Sequence, residues 1–307
     1  MSNTAADSNK SNLFILNLKI NDVTPEIWRR LAVPSDIPLE AFHDIVQVCM
    51  DWNSYESFSF KIADKTIDPQ QNDKPIESFN IKVGDSFSYT CGSEENWTFN
   101  IVVEELREAR LFEAEIGCRG GERQSPPDAV SGPQKYKELL ADLAAGNDGK
   151  KEEILKFLEV EEFNSDEFNL GQVNELIQIE LLIEEEEAEH LLDLIEFEDS
   201  VTLGMKDELS PQEEESLEEL FIYRTKMALT SLFMAEDPKE VRETLERLVS
   251  SGMDEAEAFS MILVSYCQAL SSANELENEL PFLDYNKSEF LKTLSGLPET
   301  CPELLSH

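Results

Sequence analysis

The sequence is short of histidine, of basic residues and of long apolar runs, and each shortage removes a class of function. Only three histidines occur in 307 residues, His43, His190 and His307, so a histidine-based metal site or catalytic triad has little to be built from. Lysine and arginine number 25 against 65 aspartates and glutamates, a formal net charge of −40. A chain this acidic repels phosphate backbones and anionic headgroups, so neither direct nucleic-acid binding nor membrane association is expected. No apolar run reaches the roughly 18 residues that a membrane span needs. Residues 1–12 are mostly polar and hold no apolar run, unlike a secretory leader, and read as a disordered tail. The five cysteines, Cys49, Cys91, Cys118, Cys267 and Cys301, are odd in number and include no Cys-x-x-Cys pair. That pattern predicts reduced thiols in a cytoplasmic protein. Phosphate-binding glycine loops, the His-Glu-x-x-His zinc motif and the Gly-x-Ser-x-Gly nucleophile elbow are missing as well, so no metal or cofactor is expected.

What remains is a chain with 41% hydrophobic residues, enough to bury a core, and long enough for two domains. The charge is unevenly placed. Residues 13–146 hold 23 acids and 13 bases, residues 147–307 hold 41 acids and 11 bases, so the second half carries about three quarters of the excess. Its bland reading is solubility; its functional reading is a surface for a basic protein.

The stretch from Pro25 to Trp52 organises the first half. Ile27, Arg29, Leu31 and Val33 alternate with Trp28, Arg30 and Ala32, the period of a strand, and Pro34 ends the ladder. Adjacent Arg29 and Arg30 point to opposite faces, so one is expected to pair with an acid and the other to be solvated. Asp36 and Pro38 are placed to open a helix. Its apolar stripe is Phe42, Ile45, Val46 and Cys49, with Asp44 and Gln47 off the stripe and His43 beside it as a satisfied boundary histidine. Around this stretch, Leu13–Ile20, Phe58–Ile62 and Ile81–Val83 read as strands. Residues 63–80 read as a turn-rich connection, and Phe87–Cys91 with Trp97–Glu105 as a hairpin closed by GSEEN. Residues 117–133, GCRGGERQSPPDAVSGP, read as a long irregular loop of the kind that often carries function. Within it Cys118 lies near Arg119 and Arg123, cations that can lower a thiol pKa.

From Pro133 onward the pattern is helical, with segments over 133–146 and 150–159 and a connector over 163–170. Beyond Gly171 only helices are expected. The Glu184–Glu187 block reads as a solvated face, Pro238 and Asp254 open helices, and Pro281 precedes the last. The fold class is therefore α+β, a mainly antiparallel sheet with packed helices over 13–180, followed by an all-α acidic helical domain over 181–307.

Four separated motifs carry a family resemblance. They are PEIWRRLAVPSDIPLEAFHDIVQVCMDW, then Tyr89 with Gly92 and Trp97, then CRGGERQSPPDAVSGPQKYKELL, then EEILKFLEVEEFNSDEFNLGQVNEL. In this order, over about Leu13 to Ile179, they resemble the plasmid pRiA4b ORF-3-like family. The resemblance implies an α+β domain and an association with mobile elements; it implies no reaction. Where such proteins carry a His-x-His-x-Phe run, this chain reads Tyr55, Glu56, Ser57, Phe58. Where they carry Asp-Phe-Gly-Asp before Trp-Glu-His, it reads Thr90, Cys91, Gly92, Ser93 and, after a longer loop, Trp97, Thr98, Phe99. Where they often carry Cys-Pro-Pro-Glu-Asp, it reads Ser125, Pro126, Pro127, Asp128, Ala129. The polar cluster departs while the aromatic, glycine and proline scaffold stays. The function expected is thus a non-catalytic binding or adaptor module for a protein partner, a basic one in particular. Its candidate binding residues are Trp28, Arg30, His43, Tyr89, Trp97, Cys118, Arg119, Arg123, Asp128 and Tyr136. The competing readings are a metal-dependent enzyme or nucleic-acid factor of a mobile element, and an acidic mimic of nucleic acid.

Overall fold

The computed structural model describes residues 12–52, 57–68, 73–92, 96–110, 113–145, 148–158, 160, 162–183, 185–202, 209–273 and 285–299. The expected tail before residue 12, most of the loop after Trp52, the middle of GSEEN and the segment around Pro281 lie outside them. The chain divides into two compact units, Met1–Ile177 and Gln178–His307.

The first unit is built on one seven-stranded antiparallel sheet. Its strands are β1 (Asn12–Ile20), β2 (Trp28–Pro34), β3 (Phe58–Ile62), β4 (Lys65–Ile67), β5 (Ser86–Cys91), β6 (Trp97–Glu108) and β7 (Gly117–Glu122), in the order β4-β3-β5-β6-β1-β2-β7. Period-two alternation decides which face is covered. Leu16 opposes Val103, Leu18 opposes Ile101 and Ile20 opposes Phe99. Tyr89 in turn opposes Phe99 and Cys91 opposes Trp97, while Phe60 opposes Tyr89. All of these side chains are buried. The helix α1 (Leu39–Cys49) lies on this face. Its Phe42 ring sits 5.9 Å from Phe60 and 6.4 Å from Phe87. Truncating a fully buried phenylalanine of this kind costs about 3–5 kcal/mol. On the opposite face, Leu13, Ile15 and Ala32 form a small second cluster.

Several local expectations are corrected. Ile81–Val83 is not a strand; Gly84, at φ 89°, sits in the turn that leads into β5. The 63–80 connection holds β4, a strand too short to show periodicity, and one 3-10 turn over Ile76–Phe79. Helix α1 is not capped by Asp36. Its N-cap is Pro38, which has no side-chain acceptor, and the Glu40 amide is taken by Asp73 Oδ1 at 3.1 Å from a distant turn.

The largest correction is β7. Residues 117–122 are a strand at the edge of the sheet, paired with β2 from Trp28↔Glu122 to Ala32↔Gly117. Glycine density argues against a central strand, but here glycine is what lets neighbours close in. A Cβ on Gly121 would meet the Phe168 ring at 2.7 Å and the Trp28 carbonyl at 2.9 Å. The edge is also covered rather than left to pair. Helices α2 (Gly132–Ala144), α3 (Asp148–Leu158) and α4 (Leu170–Ile177) follow, and α4 packs against both α1 and β7. From α4, Asn174 accepts the Cys118 amide at 2.8 Å and donates to the Cys118 carbonyl at 3.0 Å. One side chain thus satisfies both backbone groups that a further strand would have used.

Among its described residues the second unit has helices and their connecting turns, and no strand. A π turn over Gln178–Leu182 precedes α5 (Glu185–Thr202), α6 (Pro211–Ala235), α7 (Glu240–Ser250), α8 (Glu255–Ala273) and α9 (Lys287–Gly296). Ile179, Leu191, Leu194 and Leu220 form one apolar cluster. Ser210 and Glu213 make a capping box at the start of α6, worth about 1 kcal/mol. Asp254 accepts the Ala256 amide at the start of α8, as its position predicts. Arg247 closes the end of α9, donating to the carbonyls of Leu294 at 3.0 Å and Leu297 at 2.8 Å. Of the glutamate block, Glu187 is exposed; the other side chains of that block lie outside the described ones. No helix among the described residues is long and apolar enough to cross a membrane.

Candidate functional site

The two arginines of β2 part company as the strand geometry requires, but neither is solvated. Arg30 lies on the outer face and pairs with Glu104 at 2.5 Å and Glu105 at 3.0 Å on β6. Arg29 lies on the covered face and is 2% exposed. It fits there because its partner across the ladder is Gly121. Its Nη1 donates to the carbonyls of Trp28 at 2.9 Å and Glu122 at 3.2 Å, and its Nη2 to Ser125 Oγ at 2.9 Å. The Phe168 ring stacks 4.6 Å from the guanidinium carbon. Burial pulls the Arg29 pKa down, and the nearby thiols of Cys49 and Cys118 oppose that pull.

Arg29 is at the floor of a cleft of about 690 Å³, within the range of ligand sites. The far wall comes from the end of α3, the connector to α4 and α4 itself, through Phe157, Val160, Phe163, Phe168, Val173 and Leu176. The near wall is the end of α1 and residues 124–129. This loop is pinned at two points: Trp52 Nε1 donates to the Pro126 carbonyl at 2.7 Å, and Gln124 N bonds the Ser165 carbonyl at 3.3 Å. Arg123, in the left-handed region at φ 69°, pairs with Asp166 of the connector.

The cleft combines apolar walls with acid. Phe157 is 62% exposed and Val160 43%, so the outer wall offers uncovered apolar surface. Asp51, Asp128 and Glu167 are its acidic lining groups. Burial raises the Asp51 carboxyl above the ordinary range, and the charge of Asp128 raises it further. Like charges brought together in a partly dry site favour any cation that enters. Among the described residues, no group of three histidines, cysteines or carboxylates is arranged to hold a metal.

The sequence candidates fall in several places. Asp128 lines the cleft. Cys118 is fully buried beneath it and is not part of its lining. The cation beside Cys118 is Arg29, not Arg119 or Arg123. Arg119 pairs at 2.5 Å with Glu113, which also binds Arg107 through two 2.7 Å hydrogen bonds. Burial works against ionisation of Glu113, but the Arg107 hydrogen bonds, the Arg110 amide and the Arg119 charge outweigh it and bring its pKa down to about 2. Trp28 is half-buried at the start of β2, where its Nε1 donates to Glu122 at 3.1 Å.

His43, Tyr89, Trp97 and Tyr136 belong to the interior instead. Gln47, off the apolar stripe by its spacing, is nonetheless buried. Its amide donates to the Tyr89 hydroxyl at 2.8 Å, and that hydroxyl lies 2.5 Å from His43 Nδ1. Burial lowers the His43 pKa to about 4, so the imidazole is neutral at pH 7. Burial also pushes the nearby Cys91 thiol up to about 11. Trp97 stacks on Trp52 with ring centroids 5.5 Å apart, and Tyr136 meets it edge-on at 6.3 Å.

Sequence reasoning misses Arg29, Asp51, Phe157 and Phe168. For Arg29 a signal is present: it shares its strand face with Leu31 and Val33, and a cation in register with buried residues needs a special reason to be there.

A family model described as plasmid pRiA4b ORF-3-like protein matches residues 12–172. An uncharacterized protein of Sinorhizobium fredii (strain NBRC 101917 / NGR234), y4hQ, is 25% identical over 178 residues, covering 53% of this chain and 89% of that protein. Among solved structures, the protein of unknown function MM3350 from Methanosarcina mazei Go1 is 22% identical, covering 52% of this chain and 97% of its own, with a TM-score of 0.47.

Proposed function

The chain belongs to the plasmid pRiA4b ORF-3-like family, and from the geometry of its cleft we propose that the α+β unit is a non-catalytic binding module for a protein segment that presents a lysine or arginine between apolar residues. One observation carries this reading: an open cleft that leaves Phe157 62% exposed beside the carboxylates of Asp51 and Asp128. Exposed large apolar side chains rimmed by charge mark interaction surfaces. Arg29 does not compete for those acids as a free cation, because backbone carbonyls, Ser125 and the Phe168 ring already engage it. The net charge of −40 draws a basic partner toward the chain and repels an acidic one. The other chemistry-bearing groups of the unit are committed to its interior, His43 to Tyr89 and the fully buried Cys118 thiol to the Gly120 carbonyl, to which it donates at 3.3 Å.

The test uses the full chain and two fluorescent heptapeptides in anisotropy titrations, one with a central lysine flanked by leucines and one with glutamate in its place. The lysine peptide binds and the glutamate peptide does not. Phe157→Ala and Asp128→Asn each weaken binding about 3- to 10-fold, the effect of removing one apolar anchor or one partly screened charge pair. Equal binding of the two peptides, or indifference to both substitutions, refutes the proposal.

A further inference from the structure

Three arginines are buried among the described residues, Arg29, Arg119 and Arg242. Arg119 pairs with Glu113 at 2.5 Å, and Arg242 faces Glu236 at 3.9 Å. Arg29 differs from both. Its partners are two backbone carbonyls, the Ser125 hydroxyl and the Phe168 ring, all of them neutral. They fix the position of the guanidinium without cancelling its charge, and a buried cation is ordinarily paired with an anion.

The donors left over have a shape. The two Nη1 hydrogens go to the carbonyls of Trp28 and Glu122, and one Nη2 hydrogen goes to Ser125. Nε–H meets no acceptor, and the second Nη2 hydrogen is unspent. Nε and Nη2 form the side-on edge of a guanidinium, which takes a carboxylate through two parallel hydrogen bonds. The group belongs to the cleft, because Ser125 and Phe168, which hold it, line that cleft together with Arg29 itself. Ser125 also has a hydrogen to offer. It points to the Met50 sulfur at 3.4 Å, a weak acceptor that an oxygen anion displaces.

We propose that Arg29 and Ser125 are a carboxylate site, and that the segment taken by the cleft is the C-terminal end of a protein, with its terminal carboxylate on Arg29 and its basic side chain beside Asp51 and Asp128. This inference rests on the basic-segment reading above and names which part of the partner enters. The charge pattern selects such a ligand. The lining acids Asp51, Asp128 and Glu167 repel a dianion such as phosphate, whereas a chain end carries one negative charge and brings its own cation. Arg29 is 2% exposed at the floor of the cleft, where a chain end reaches and a continuous chain crossing the rim does not. Capture of a terminal carboxylate is a recurrent mode of peptide recognition.

The experiment is an anisotropy titration of the full chain with three heptapeptides labelled at the N-terminus. One ends leucine-lysine-leucine with a free carboxylate, the second is the same peptide amidated, and the third is amidated and carries an internal glutamate near the lysine. The free acid should bind roughly 10- to 100-fold more tightly than the amide, the effect of losing a charge-assisted bidentate contact. Arg29→Lys, which keeps the charge and removes the fork, should erase most of that difference. Equal binding of acid and amide overturns the chain-end site while leaving the basic-segment reading standing; binding of neither refutes both. Binding of the glutamate peptide as tight as that of the acid, displacement of the acid by an equal concentration of free lysine, or an undiminished difference in Arg29→Lys would each overturn the proposal. Where Arg29→Lys fails to fold, the wild type decides: the Arg29 Nε–H resonance shifts with the acid and not with the amide, and a resonance that the acid leaves unmoved overturns the site.

Discussion

Acid should loosen the α+β unit in a window that His43 sets. The imidazole is 3% exposed, stacks on Phe58 with centroids 3.6 Å apart and faces the Tyr89 hydroxyl. That hydroxyl accepts the Gln47 amide, so its own hydrogen is free to go to Nδ1, an arrangement that a protonated ring cannot accept. In the folded chain the pKa is lowered to about 4, against about 6.5 in an unfolded chain. Below 6.5 the unfolded state therefore binds a proton that the folded state refuses, and stability falls as pH drops through the interval between the two values. The stabilisation is complete above the unfolded value. By linkage about 2 kcal/mol is lost by pH 5 and about 3 kcal/mol by pH 4, where the folded state begins to protonate as well. All three tryptophans, Trp28, Trp52 and Trp97, lie in the first unit, so urea unfolding followed by tryptophan fluorescence at pH 8, 6 and 5 reports on it. His43→Asn keeps an acceptor near Tyr89 and removes the titration. The variant starts less stable at pH 8, but the fall from pH 8 to pH 5 should shrink by about 2 kcal/mol. The same slope in wild type and variant would refute the reasoning, and would place the acid sensitivity in other groups.

Two further outcomes follow. Glu113→Gln leaves Arg107 and Arg119 without their shared carboxylate and should cost about 3 kcal/mol at pH 7. In the wild type that contribution is lost as pH falls from about 4.5 toward 2, the lower part of the acid range, so the variant's urea midpoint should fall less steeply there than the wild type's. Gly121→Ala drives a methyl group into the Phe168 ring and the Trp28 carbonyl. It should cost about 1–3 kcal/mol and shift the Phe168 ring resonances by displacing the ring from Arg29; an unchanged ring would mean the contact is slack.

The legibility of this chain follows the strength of its periodicities. β1, β2, α1 and the β5–β6 hairpin are readable because Phe14, Leu16, Leu18 and Ile20, or Phe42, Ile45, Val46 and Cys49, repeat with one period over several residues. β7 is not, because Gly117, Gly120 and Gly121 argue for a loop locally, and only the approach of Phe168 and the Trp28 carbonyl shows why Gly121 must be glycine. Ile81–Val83 misleads for the opposite reason: two apolar residues around Lys82 alternate like a strand until a turn claims them. The candidate site is legible as a region, since residues 124–129 fall within the loop that glycine and proline mark out. Its chemistry is not, because the far wall from Phe157 to Leu176 reaches Arg29 only through tertiary packing. The surroundings of Cys118 are hidden likewise: it stands beside Arg119 and Arg123 in sequence, but Glu113 and Asp166 take those cations and Arg29 is the cation that acts on it.

The most direct test of the central claim is hydrogen–deuterium exchange of the full chain with and without the leucine-flanked lysine peptide. Protection confined to residues 124–129, the end of α3 and the 162–169 connector is the predicted result. Protection over the acidic helices α5 and α6 with none at the cleft would contradict it, and would assign the basic partner to the acidic second unit instead.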